Sequence, residues 1–492
     1  MNAGDVDPLT LAIAPPPNET PAQRAERESA EAEALRISNE IDEQIRKERE
    51  NERKKKRPVK LLLLGQSESG KTATLKNFQL TYAKREWIAE RNNWRAVVFL
   101  NLVRNVNNIL DILTREMAAA SLPSPDYIGS SDESSEDINS SKPRLKFKEK
   151  HRLLKLRLGP LRRIQNDLER RFGATALEPQ FTSVTTAAPF GSEEIESSRQ
   201  TSKEFSINSR NGWKSAFEKI RATRAAARAG GDANALRRLQ EIDDEIAEVI
   251  AGCREDMKAI WEDLTVREML SRSKSRVEDS AGFFLNDVDR IAVSNYEPTD
   301  DDVVRARLRT LGVQEYKFIF EHGRTAGQEW RLYDVGGTRS SRAAWWPYFD
   351  DVNAIIFLAP ISCFDEKLAE DRRVNRLEDS FLLWRSVCEC KLLSRTQLIL
   401  FLNKCDLLQA KLQRGIRIRS SVPSFGDRRN DISTATRYFQ QHFKEILKQY
   451  SPAQRSFFVH LTSVIDTRST AVTLGAVEES ILRDHLRRAD LM

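Results

Sequence analysis

The chain is 492 residues long, which at ~150 residues per domain suggests two to four units. Lys plus Arg number 79 against 73 Asp plus Glu, a net charge of +6 that is too small for this length to point to nucleic acid. Five cysteines, none before Cys253, argue against a disulfide framework; Cys388 and Cys390 are too isolated for a zinc pair, and neither a secretory leader nor a bilayer-length apolar run is expected.

Residues 1–21, rich in Pro, Ala and Asp, read as a tail. From about Pro21 to Arg57 the composition turns to Ala, Glu, Arg and Lys without Gly, predicting one long solvated helix, acidic early and basic late. Ala34, Ile37, Ile41 and Ile45 fall on one narrow stripe, with Leu35 to the side, as on a helix that docks a partner. Pro58 ends it, Val59 to Leu64 reads as a buried strand, and a helix opens near Thr72. The region from Glu86 to Val303 carries helical patterns and few strands. Two Ser-rich acidic stretches, 121–141 and 182–209, read as inserted loops; the first offers serines among acids, as solvated linker or as phosphorylation sites.

After Arg305 strand and helix alternate. Strands are predicted at Tyr316 to Phe320, Arg331 to Val335, Ala354 to Leu358, Gln397 to Leu402 and Phe457 to Leu461. With Val59 to Leu64 these make a mostly parallel six-stranded α/β sheet, interrupted by an all-α region after its first strand and helix. The domain reading is 1–57 for tail and helix, 58–85 for the first part of the α/β domain, 86–303 for the helical domain with inserts near 118–145 and 175–210, and 304–492 for the second part.

Gly65-Gln66-Ser67-Glu68-Ser69-Gly70-Lys71-Thr72 fits the phosphate-loop pattern G-x-x-x-x-G-K-[ST], between a strand and a helix as that pattern requires. Backbone N–H groups there face phosphates, Lys71 reaches the β- and γ-phosphates, and the Thr72 hydroxyl suits Mg²⁺. Asn403-Lys404-Cys405-Asp406 ends a later strand. A carboxylate at Asp406 accepts two hydrogen bonds from guanine, a pair that adenine lacks, and the Lys404 stem covers one ring face. Asp334-Val335-Gly336-Gly337 closes another strand, either as a plain turn or as a site where Asp334 orients Mg²⁺ and Gly337 lets an N–H approach a γ-phosphate.

These residues closely resemble the α subunits of heterotrimeric G proteins. The resemblance runs from Leu61 through Lys71, then Asp279-Ser280 before Phe283-Phe284-Leu285-Asn286-Asp287, then Asp302-Val303-Val304-Arg305-Ala306-Arg307 into Thr310 and Gly312. It continues at Asp334 to Gly337 with Arg339 and ends at Phe401-Leu402-Asn403-Lys404. It implies a Ras-like P-loop GTPase domain split by a helical lid, a GTP/GDP switch with Mg²⁺, and a βγ dimer, a G protein-coupled receptor and a downstream effector as partners. Arg307 matches the arginine supplied in cis to the γ-phosphate, and Thr310 the first-switch threonine that ligates Mg²⁺ with Thr72 and Asp334. Glu68, Ser69, Gly70, Asp279, Ser280 and Arg305 join the implied nucleotide site, with Gly337 at the γ-phosphate and Asn403, Lys404, Asp406 and Val464 at the base. For this family the in-cis arginine is credited with about 10³ to 10⁵ in rate.

Several positions depart from the family. Thr338 stands where it places the Gln that orients the attacking water, so hydrolysis is expected to be slow unless a GTPase-activating regulator supplies the missing group. Loss of hydrolysis altogether, leaving a GTP-dependent scaffold, is the alternative; a P-loop ATPase or kinase is disfavoured by Asn403, Lys404 and Asp406. Thr462-Ser463-Val464-Ile465 replaces Thr-Cys-Ala-Thr, and Val464 crowds the base. Asn2 replaces the myristoylated Gly and no Cys precedes Cys253, so no lipidation site is recognised and membrane attachment at the inner face of the plasma membrane would rest on partners. The basic run Arg53 to Arg57 suits either anionic lipid or a solvated helix end. Trp345, Trp346, Tyr348 and Phe349 read either as a βγ- and effector-binding face or as packing. The amphipathic stretch Ile481 to Met492 resembles the receptor-binding tail, with Ala489 where many members carry Cys, or reads as a helical tail packing on its own domain.

Overall fold

The computed structural model describes residues 20–54, 58–121, 145–172, 206–207, 233–272, 277–280, 282–310, 313–349, 351–368 and 370–488. Most of the two expected inserts, and Ala489, lie outside these residues. The chain divides into two units, residues 1–57 and 58–492. In the first, α1 (Pro21–Lys54) is one helix whose Arg24–Glu28, Arg27–Glu31 and Arg36–Glu40 pairs sit four residues apart along its surface. Leu35, Ile37, Ile41 and Ile45 are exposed on it.

The second unit is built on a six-stranded sheet of β1 (Val59–Leu64), β4 (Val313–Ile319), β5 (Glu329–Val335), β6 (Ala354–Pro360), β7 (Gln397–Asn403) and β8 (Phe457–Leu461). Their spatial order is β4-β5-β1-β6-β7-β8, all parallel except β4, which runs antiparallel to β5 at the edge. The strand expected at Tyr316–Phe320 begins three residues sooner and stops at Ile319. Among the described residues a two-residue parallel ladder, β2 (Ser206–Ile207) with β3 (Arg309–Thr310), forms a second strand pairing.

Alternation divides the core. Leu61 and Leu63 of β1, Ile356 and Leu358 of β6 and Phe401 of β7 face one side of the sheet. Leu62, Leu64, Ile355, Phe357, Leu400 and Leu402 face the other, against Trp384 and Phe443. Both sides of the central strands are covered, so they read as unbroken apolar runs, whereas edge β4 alternates buried and exposed.

Helices α2 (Lys71–Tyr82), α3 (Lys84–Arg91) and α4 (Arg95–Ser121) follow β1. Val98, Leu102, Val106, Ile109 and Leu113 form one buried stripe of α4. On another face α4 meets α6 (Pro160–Arg171), which follows α5 (Glu149–Arg157): Asn107 donates to Gln165 at 2.7 Å and Arg104 to Glu169 at 2.6 Å. The stretch Lys84–Ala120 is long and apolar enough to cross a membrane, but 72% of its apolar window is buried in this helical core. Helices α7 (Ala233–Gly252), α8 (Arg254–Glu262), α9 (Leu264–Arg272), α10 (Val288–Ile291) and α11 (Asp300–Arg305) complete the region. Asp302 of α11 is fully buried and takes both guanidinium nitrogens of Arg290 at 2.6 and 2.8 Å and the Tyr296 hydroxyl at 2.9 Å. Burial alone would raise its pKa; the Arg290 bonds and the Thr299 N–H outweigh that and hold it at about 2. Helices α12 (Arg376–Glu389), α13 (Cys405–Gln413), α14 (Ile432–Tyr450) and α15 (Thr467–Arg488) pack the later strands.

Candidate nucleotide site

The parallel strands end along one edge, where an α/β sheet places its ligand crevice. Register sets Leu63 of β1 beside Asp334 of β5, and Pro360 of β6 beside Asn403 of β7. The turns leaving β1, β5 and β7 therefore open into one cleft of about 450 Å³. Glu68, Ser69, Gly70, Lys71, Thr72, Ser280, Arg305, Arg307, Gly337, Thr338, Asn403, Lys404, Asp406 and Val464 all line it. Asp279 and Thr310 are placed by backbone alone, Asp279 in the turn 277–279 and Thr310 in β3 beside Ile207.

The phosphate loop wraps Lys71, whose Nζ donates to the Gly65 and Gln66 carbonyls at 2.8 and 2.5 Å. Its burial lowers the pKa to about 8, against a partial counter-effect from Asp334. Gly70 turns the chain into α2 at φ 104°, a left-handed conformation costly for any side chain. A Cβ there would lie 2.4 Å from Asn403 Nδ2 and 2.9 Å from Val464 Cγ2. Thr72 Oγ1 donates to Asp334 Oδ2 at 2.7 Å, so two hard oxygen donors meet at the loop's mouth, a set that fits Mg²⁺. Gly337 is held by space: a Cβ would fall 2.3 Å from Ser67 N, which donates to the Gly337 carbonyl at 3.1 Å.

Across the cleft, Arg307 reaches Glu68 at 2.5 Å. Burial would raise the Glu68 carboxyl, but Arg307, Arg376 and Lys404 outweigh it and hold it at about 2. Asn101 on α4 grips the Arg307 backbone, accepting its N–H at 2.6 Å and donating to its carbonyl at 3.0 Å. Lys76, also cleft-lining, donates to the Val303 and Ala306 carbonyls at 2.9 and 2.6 Å with its ammonium 3.9 Å above the Trp94 ring. The motif reading missed both residues: the phosphate-loop pattern ends at Thr72, and Asn101 looks like one polar break in an apolar helix. Arg305 spends its guanidinium on the Phe283 carbonyl and Asp287, at 2.8 and 2.9 Å, above the Phe284 ring.

At the other end, Asn403 Nδ2 donates to the Ser69 carbonyl at 2.7 Å, while Oδ1 accepts from Thr462 and the Val464 N–H at 3.1 and 3.2 Å. Asn403 thus staples the phosphate loop to the loop after β8. Ser463 donates to Asp406 Oδ1 at 2.9 Å, fixing that carboxylate at the cleft wall. Burial, then the Arg376 charge, lowers the pKa of Lys404, which holds a left-handed φ of 64°. After Gly337, the Thr338 hydroxyl donates to Ser341 Oγ at 2.9 Å. Trp345 and Phe349 are buried while Trp346 is 40% exposed, so the aromatic cluster divides between packing and surface.

A family model described as "G-protein alpha subunit" matches residues 35–481. The chain belongs to the G-protein alpha-subunit family. It is 31% identical to the guanine nucleotide-binding protein alpha-4 subunit of Mycosarcoma maydis, over 99% of this chain and 96% of that protein. It is 35% identical to the alpha-16 subunit of Caenorhabditis elegans and to the G(o) alpha subunit of Geodia cydonium, each over 48% of this chain and 64% of the relative. The family joins a Ras-like GTPase fold to a helical domain, and its members are guanine-nucleotide-binding signalling switches that partner βγ subunits and receptors.

Proposed function

We propose that this alpha subunit binds GDP and GTP in the cleft just described and hydrolyses GTP slowly, coupling a receptor to a downstream effector. The convergence of the phosphate loop, Gly337 and Asn403-Lys404-Asp406 on one crevice, with Asp334 bonded to Thr72 behind it, carries the reading. Asp406 would accept the guanine N1–H and amine, Lys404 would cover the ring, and Lys71 would exchange loop carbonyls for phosphate oxygens. Arg307 would turn from Glu68 to the γ-phosphate, where its charge stabilises the transition state. Mg²⁺, held by Thr72 and Asp334 with Thr310 as the first-switch ligand, would offset phosphate charge. Asp279 and Ser280 would close the cleft from the helical side.

Slow hydrolysis rests on Thr338. Its hydroxyl is short and already donates to Ser341, so it is a poor substitute for an amide that orients water. This same bond favours a second reading, a scaffold that holds GTP until a regulator supplies the missing group. Single-turnover release of phosphate from GTP-loaded protein tests both. Slow release that Thr338→Gln speeds by tenfold or more supports the proposal. No release from wild type supports the scaffold, and equal rates in the two proteins would remove Thr338 from the explanation.

A further inference from the structure

The phosphate-loop pattern leaves its second position free, yet Gln66 there is 1% exposed and its amide nitrogen makes two hydrogen bonds. Its Nε2 donates to the Arg376 carbonyl at 2.6 Å and to Asp379 Oδ2 at 2.5 Å. Both neighbours are acceptors, which assigns the amide nitrogen to that side. Asp379, itself 2% exposed, also takes Arg342 through both terminal nitrogens, at 3.1 and 2.5 Å. Arg342 belongs to the segment Arg339–Tyr348 that follows Gly337. Arg376 returns the connection, donating from its guanidinium to the Ser67 carbonyl at 2.9 Å.

We propose that Gln66 is a positioning residue that fixes the Asp379 carboxylate for its two-point grip on Arg342, and so ties the segment Arg339–Tyr348 to the phosphate loop. A buried carboxylate has lost its water, and its pairing with arginine is strong only while the plane of the carboxylate matches the guanidinium fork. The Gln66 amide sets that plane from the loop side. Because the donor is part of the loop that wraps the phosphates, any shift of the loop is passed to Asp379, and through it to Arg342. Insofar as the loop moves with bound nucleotide, this coupling deepens the nucleotide-switch reading and rests on it.

Limited trypsin digestion reads the coupling, since Arg339 opens the helical segment Arg339–Tyr348 and cleavage after it requires that segment to unwind locally. The assay uses the full chain with GDP, with a non-hydrolysable GTP analogue, and without added nucleotide. Gln66→Met keeps the length and removes only the amide, and it is expected to speed cleavage after Arg339 by about fivefold or more. In an Arg342→Met background, where there is no grip left to position, the Gln66 change is expected to add nothing. Thermal unfolding of each variant separates local opening from loss of the fold. Wild-type cleavage rates in Gln66→Met, or the same factor added in both backgrounds, would overturn the proposal. If cleavage ignores nucleotide but still rises in Gln66→Met alone, the coupling stands and the nucleotide reading fails.

Discussion

Burying an ammonium among carbonyls sets a pH window for Lys71. Its pKa in the free protein is about 8, below the ordinary 10.5, so below pH 8 the cation that phosphate wants is already present. Above pH 8, binding must draw a proton from solvent, and affinity falls by up to about tenfold per pH unit. A titration of GTP affinity from pH 7 to 10 is therefore expected to break near 8. Lys71→Met is expected to bind weakly and without that break; a flat wild-type profile would contradict the assignment. Glu68 obeys the opposite rule: its depressed carboxyl keeps the Arg307 pair present above ordinary carboxylate values and loses it only as pH falls through about 2. Neither shift is legible from the motif, because each depends on burial and on charges brought from elsewhere in the chain, Asp334 and Arg342 for Lys71 and Arg307 and Arg376 for Glu68.

Between elements, the cleft is held by contacts that no local pattern announces. The strands were readable because β1, β6 and β7 are covered on both sides and write unbroken apolar runs, and the phosphate loop because its glycines and lysine have fixed spacing. Asn101 on α4 meets Arg307 across 206 residues, and Lys76 meets Ala306 across 230, so both partners emerge only on folding. The extension of β4 back to Val313 was hidden for a related reason: an antiparallel edge strand takes its length from its partner β5, not from its own hydrophobicity. Asn101 fastens the linker carrying Arg307 to the helical region. Asn101→Ala removes both backbone bonds, each worth about 1 kcal/mol, and is expected to speed release of bound GDP by roughly 5- to 30-fold. Stopped-flow displacement of a fluorescent GDP analogue measures it, and an unchanged rate would show that this contact does not restrain the cleft.

At the scale of the molecule, one crevice collects residues from the phosphate loop after β1, from β5, β7, the loop after β8 and the helical region, and the family match spans residues 35–481 across all of them. The order of motifs along the chain was enough to place phosphate at one end and base at the other. What the chain order did not show is the stapling between them, in which Asn403 joins Ser69, Thr462 and Val464. Base recognition by Asp406 is the claim on which the whole reading turns. The direct test is competition for labelled GDP by unlabelled GDP, XDP and ADP, in wild type and in Asp406→Asn. Asn offers a donor where Asp offers an acceptor, so it suits the extra carbonyl of xanthine and opposes the amine of guanine. The account predicts that wild type selects GDP over ADP and that Asp406→Asn loses GDP affinity on the order of 100-fold while gaining XDP. Equal competition by ADP in wild type, or undiminished GDP binding in the variant, would contradict it.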